Sequence, residues 1–149
     1  YDEEDLKARK LPKNTNTLQT LQNSMIRVIY GLKIQNRVNM KNVREKIKMM
    51  SVNQIAVYHT LLEAYNVMSH LSSEQIKMKW TIIEKKYALR SSTNKDLKVP
   101  EKPKLKCMGF TYNGAKLFNM LPPHMRQTKD TNTFKTMVKT WIWENIPSY

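Results

Sequence analysis

The chain has 149 residues, a hydrophobic share of 40% and 26 Lys and Arg against 12 Asp and Glu, for a net charge of +14. Ten Met and thirteen aromatic residues supply enough apolar surface for one compact core, which excludes wholesale disorder and leaves no room for a second independent core. No apolar run approaches the ~18 to 20 residues of a bilayer span and no apolar leader opens the chain, so no membrane partner is expected and an intracellular protein is.

Residues 1–16 read as a flexible arm or linker. They open on Asp2, Glu3, Glu4 and Asp5 and turn basic in "KARK", a weak nuclear-import cluster. The start at Tyr1 leads us to expect a piece of something longer. From Thr17 the pattern is helical, with Asn16 as N-cap and Leu18, Leu21, Met25, Val28 and Leu32 at alternating spacings of three and four; Gly31 belongs to the closing turn. A second helix near Asn39 to Met50 sets Met40, Val43, Ile47 and Met50 on one face and Lys41, Arg44 and Lys48 on another, a basic ridge. Ser51 and Gln54 have capping-box spacing and open a third helix through Ile55, Tyr58, Leu62 and Tyr65 to about Ser69. His59, inside it, is expected to be a partly buried structural histidine. Ser72 and Gln75 repeat the cap signal before a fourth helix that turns Ile76, Trp80, Ile83 and Tyr87 inward and Lys77, Lys79, Lys85 and Lys86 outward.

Residues 91–106, with two Pro and five Lys, are expected to form a basic linker. In the C-terminal part, residues 107–149, Asn113-Gly114 between apolar residues carries a hairpin signal. The following "AKLFNML" lacks alternation, so the spacing predicts a short extended segment over 110–112, a corner at 113–114 and a brief helix to Leu121, stopped by Pro122. A last helix, capped near Thr131 or Asn132, places Phe134, Met137, Val138, Trp141 and Ile142 on one face. The expected fold is mainly α: a compact bundle of about four helices over 17–90, then a small subdomain of one short extended segment and two helices.

Catalytic chemistry has no support in the pattern. Three Gly in all make a glycine-built phosphate cradle implausible, and the acids beyond residue 5 stand at least five residues apart, too sparse for a two-metal site. One cysteine, Cys107, permits no intrachain disulfide, and His59, His70 and His124 are scattered; no metal and no cofactor is expected, and no enzymatic activity of this chain alone. Charge is the informative quantity. Beyond residue 5 the chain holds 26 cations against eight acids, a field that favours a polyanionic partner through counterion release.

Several segments occur together in an order that resembles a known family. "LQTLQNSMIRVIYG" is similar to the Leu-Gln-x-x-Gln-Asn-x-x-x-Arg-x-Ile helix that follows the palm in reverse transcriptases of non-LTR, LINE-like retrotransposons, especially the Jockey-related lineages. "YALR" stands where that family has Tyr-x-x-Arg, "LKVP" for its Leu-x-x-Pro, "FTYNGAKLFNMLPPHMR" for its Phe-x-Tyr-x-Gly-x-Lys-Leu-Trp-Asn-x-Leu-Pro-x-x-Ile-Arg, and "NTFKTMVK" for its closing Phe-Lys-x-x-x-Lys helix. Phe118 and Met125 depart from the pattern, and the fingers and palm with their Asp-Asp metal site are absent from this sequence. The resemblance implies the thumb and C-terminal tail of such a polymerase, a part that holds template and primer by backbone contacts. By that analogy Arg27, Lys33, Arg37, Lys41, Arg44 and Lys48 contact phosphates, joined by the outward Lys77, Lys79, Lys85 and Lys86; Arg90 and Arg126 are family-pattern positions with either a binding or a structural role. The expected function is that of a non-catalytic module binding RNA, DNA or an RNA:DNA duplex with low sequence specificity, in the nucleus or in a cytoplasmic ribonucleoprotein, alongside other protein subunits. The alternative is a co-opted helical scaffold that joins a host or viral RNA-protein or chromatin assembly.

Overall fold

A computed structural model describes residues 13–33, 37–69, 97, 99 and 109–148. The expected fourth helix, nearly all of the 91–106 linker, most of the N-terminal arm, Cys107, and Lys77, Lys79, Lys85, Lys86 and Arg90 lie outside the described residues. The described part is mainly helical, with α1 Lys13–Ile29, α2 Met40–Lys46, α3 Val52–Met68, α4 Phe110–Met120, α5 Pro123–Arg126 and α6 Thr131–Asn145. Contacts divide the chain into one unit of Tyr1–Ala56 with Trp141–Tyr149 and another of Val57–Thr140.

In the first unit, α1 starts at Lys13, earlier than the expected cap at Asn16, and the Asn16 carbonyl accepts from the Thr20 hydroxyl inside the helix. It closes in a Schellman turn: Leu32 N–H reaches the Arg27 carbonyl at 2.8 Å, Gly31 N–H the Val28 carbonyl at 3.3 Å, and Gly31 takes φ of +61°. α2 begins at the Asn39 cap, whose side chain accepts from Lys41 N–H at 3.0 Å, and ends at Lys46, four residues before the expected Met50. Its end repeats the turn of α1, with Met49 N–H on the Arg44 carbonyl at 2.9 Å and Lys48 N–H on the Glu45 carbonyl at 3.3 Å. Here the left-handed position, φ +56°, falls to Lys48. α3 then opens on the expected capping box: Ser51 N–H donates to Gln54 Oε1 at 3.0 Å and Gln54 N–H to Ser51 Oγ at 3.3 Å.

The face that α1 turns toward its unit is polar. Gln22 Nε2 donates to the Met50 carbonyl at 2.9 Å, Val52 N–H donates to Gln19 Oε1 at 2.9 Å, and only Ile26 among the apolar residues of this helix is fully buried. The Leu18, Leu21, Met25 and Val28 stripe, expected to pack inward, faces solvent instead. Ile26 shares the buried interior with Ile142 and Ile146 of the C-terminal segment and with four polar residues, Arg44, Ser51, Gln54 and Ser148.

The second unit has an ordinary apolar core. Val57, Leu61, Ala64, Tyr65 and Val67 come from α3, Ala115, Leu117 and Phe118 from α4, and Phe134 and Val138 from α6, joined by Leu121 and Met125. The face of α3 is rotated from expectation, since Ile55 is exposed and Tyr58 and Leu62 are half-buried. Apolar residues surround this helix, so periodicity does not single out one side. The corner expected at Asn113-Gly114 is absent: α4 runs unbroken from Phe110 to Met120, with Gly114 buried in mid-helix. Residues 114, 115, 117, 118 and 121 form one buried helical row, and that burial outweighs the ~1 kcal/mol that a mid-helix Gly costs relative to Ala. Leu121 is extended, as a residue before Pro122 prefers, and Pro123 opens α5 at its first position. Leu97, in the expected basic linker, is buried, and the Asn119 amide bonds its main chain twice, accepting from Leu97 N–H and donating to its carbonyl, both at 2.8 Å.

α6 matches the expected face: Phe134, Val138 and Ile142 are fully buried, Met137 and Trp141 half-buried. Its cap is Asp130, whose carboxylate accepts from Thr133 N–H at 2.7 Å. Hydrogen bonds from Thr133, side chain first and amide second, hold this exposed carboxyl below the usual aspartate range. A depressed pKa means that the cap contributes fully above the unfolded aspartate value and loses its contribution as pH falls through the folded one. Asp130→Asn, which caps without ionising, is expected to remove the acid-induced fraying of the first turn of α6, read by hydrogen exchange of the Thr133 amide below the ordinary aspartate range. Phe134 stacks on Tyr65 with ring centroids 4.1 Å apart, while the buried Tyr65 hydroxyl finds no hydrogen-bond partner among the described residues. Tyr65→Phe should therefore stabilise the protein by about 1 kcal/mol, whereas Phe134→Ala should cost about 3 to 5 kcal/mol, both measured by urea unfolding.

Candidate nucleic-acid interface

The cations expected to meet phosphate differ in what their surroundings leave them able to do. Arg44 leaves the expected ridge: it is 1% exposed, and its guanidinium donates through Nη1 to Asn23 Oδ1 and through Nη2 to Ser148 Oγ at 3.4 Å. Burial pulls its pKa below the ordinary guanidinium range, and the neighbouring Glu45 charge acts in the opposite direction. Its charge is spent on holding α1, α2 and the C-terminal segment of its own unit. The ridge reading failed because its partners, Asn23 and Ser148, are distant in sequence. Arg126 is also buried, in α5, which favours the structural role over the binding one. Arg27 is half-buried, and its Nη1 donates to the Lys33 carbonyl at 3.4 Å across the turn that ends α1.

The remaining expected cations of the first unit are exposed. Lys33 and Arg37 lie in the segment between α1 and α2, Lys41 lies in the first turn of α2, and Lys48 lies just past its end. Lys46, which the sequence reading omitted, is exposed in the last turn of α2; its signal was simply its place in the same cation-rich stretch. Between residues 33 and 48 the only acid is Glu45. Lys48 combines exposure with a left-handed backbone that β-carbon-bearing residues adopt at a cost of about 1 to 2 kcal/mol. It is the position that closes the turn after α2, where glycine stands at the end of α1.

The second unit carries its own exposed cations. Lys135 and Lys139 stand four residues apart on α6, away from the Phe134 and Val138 row, and Lys129 precedes the helix. That spacing was visible in the sequence, although none of the three entered the expected set. Lys139 Nζ lies 5.7 Å from the centroid of the Tyr58 ring, and Tyr58 meets His59 edge-on at 5.4 Å. His59 is exposed, contrary to the partly buried role expected of it. Among the described residues no group of three or more His, Cys, Asp or Glu is placed to hold a metal ion, and no helix is long and apolar enough to cross a membrane. Compared with protein-family models, with curated proteins and with solved structures, the chain matches none.

Arg44 and Lys48 should respond to mutation in opposite ways. Arg44→Ala leaves a cavity and removes the bonds to Asn23 and Ser148, of which Asn23 keeps its partner Gln19, and is expected to cost about 3 kcal/mol. Lys48→Gly removes the left-handed strain and should add about 1 kcal/mol. Thermal unfolding of the two variants beside the parent measures both.

Proposed function

We propose that this chain is a non-catalytic nucleic-acid-binding module that holds RNA, DNA or an RNA:DNA duplex through its phosphates. The observation that carries the proposal is the run of exposed cations Lys33, Arg37, Lys41, Lys46 and Lys48, set against the single acid Glu45 in a chain of net charge +14. Exposed Lys and Arg gain their binding free energy from counterions released by the polyanion, whereas a buried guanidinium gains nothing there. Arg44 and Arg126 are therefore outside the proposed interface, and Arg27 acts by shaping the turn that presents Lys33. Lys135 and Lys139 add a second set of phosphate contacts from the other unit.

Contacts of this type position a duplex and carry no base information, so low sequence specificity follows. The resemblance to the thumb and tail of non-LTR retrotransposon reverse transcriptases supports the same reading and favours a template-primer duplex as the ligand. In that setting the polymerase chemistry belongs to a palm supplied by other sequence, and this part contributes grip.

Fluorescence anisotropy with a labelled RNA:DNA hybrid, a DNA duplex and a single-stranded RNA tests the proposal. With ~6 to 8 phosphates neutralised, affinity should fall by orders of magnitude between about 50 and 200 mM salt. Each of Lys41→Ala, Lys46→Ala and Lys48→Ala should lower the slope of log affinity against log salt by about one, for every sequence alike. An absence of binding at low salt, or slopes that ignore these substitutions, would sink the reading.

A further inference from the structure

The side of α1 away from its unit is apolar. Leu18, Leu21, Met25 and Val28 are 53%, 55%, 66% and 83% exposed, with Ile29 at 67% beside them. Monomers seldom leave such a set uncovered. The five residues present on the order of 550 Å² of accessible surface, at the upper end of the ~300 to 600 Å² of the largest apolar patch on a typical monomer.

Spacing identifies the shape of the occupant. Positions 18, 21, 25 and 28 follow the three-four alternation of a coiled-coil seam, so the stripe fits another helix better than a flat surface. The flanking positions Thr17, Gln22 and Ser24 are uncharged, and α1 holds no acid. Local charge therefore neither selects an oppositely charged helix nor repels an identical one. Read in the reverse direction about residue 23 the stripe is self-complementary, which brings Leu18 opposite Val28 and Leu21 opposite Met25. Antiparallel pairing also sets the positive N-terminus of each helix beside the negative C-terminus of the other and keeps the two Arg27 side chains apart. Two such faces would bury about 1,100 Å², just above the ~1,000 Å² that a specific interface should clear.

We infer that α1 is a dimerisation helix, on which two copies of this chain pack antiparallel through Leu18, Leu21, Met25 and Val28. The contact buries apolar surface between two chains of like charge, so salt acts on it by screening their repulsion. Its dependence is opposite in sign to that of phosphate binding.

Sedimentation equilibrium of the full chain, without nucleic acid, is the test. A monomer-dimer equilibrium is expected whose dissociation constant falls severalfold between about 0.1 and 1 M salt. Met25→Glu, and separately Leu18→Glu, should yield monomers with unchanged helical circular dichroism, because both side chains are already exposed in the protomer. With Cys107→Ser in both partners, mixing a Leu21→Cys chain with a Met25→Cys chain should give mixed disulfides in excess over either homodimer. A monomer at every concentration and salt, or a dimer indifferent to both Glu substitutions, would overturn the assignment; an excess of like-with-like disulfides would overturn the antiparallel arrangement. A different protein held by this face while the pure chain stays monomeric would also overturn it.

Discussion

Everything in the first unit depends on polar side chains of α1 finding partners. Gln19 receives the Val52 amide, Gln22 donates to the Met50 carbonyl, and Asn23 receives the Arg44 guanidinium. A buried polar group left without a partner costs more than a made hydrogen bond returns, so the rotation of α1 about its axis is fixed by these bonds and not by its leucines. Turning the helix to bury Leu18 and Leu21 would strip partners from two main-chain groups and one charged side chain at once. The outward apolar stripe is the other side of that choice.

Much of the local structure could be read from the residues alone. The capping box at Ser51 and Gln54, the glycine end of α1 and the buried row of α6 all rest on interactions within a few residues, where spacing is informative. What could not be read depends on distant partners. Arg44 meets Ser148 across 104 positions, and no periodicity in the basic stretch separates it from Lys41 or Lys48. The direction of α1 misleads because the rule that apolar residues face inward holds only one way. At Asn113-Gly114 a turn signal lost to tertiary burial: the neighbours of Gly114 pack as a helix, and a glycine permits a helix even though it does not favour one.

The same partition decides which charges remain for an external partner. Cations that satisfy buried acceptors, such as Arg44, become part of the frame; those on the segment between α1 and α2 and on α2 itself stay hydrated, with their counterions available for release. The candidate interface is thus smaller than the basic content of the sequence suggests. It also has a fixed base, because α2 is tied through Arg44 to Asn23 and Ser148 while Lys41, Lys46 and Lys48 are exposed. A rigid base under mobile side chains suits a ligand whose phosphates repeat along a line and whose bases are not read.

One consequence concerns the short connection between α2 and α3. The amides of Ser51 and Val52 are bonded to the side chains of Gln54 and Gln19 and not to water, although neither takes part in a main-chain ladder. Connections normally exchange their amide hydrogens quickly. Val52 is released when the Gln19 side chain of α1 lets go, Ser51 when its own cap opens. The two neighbouring amides therefore report on different bonds, one made to the first helix and one made inside the third.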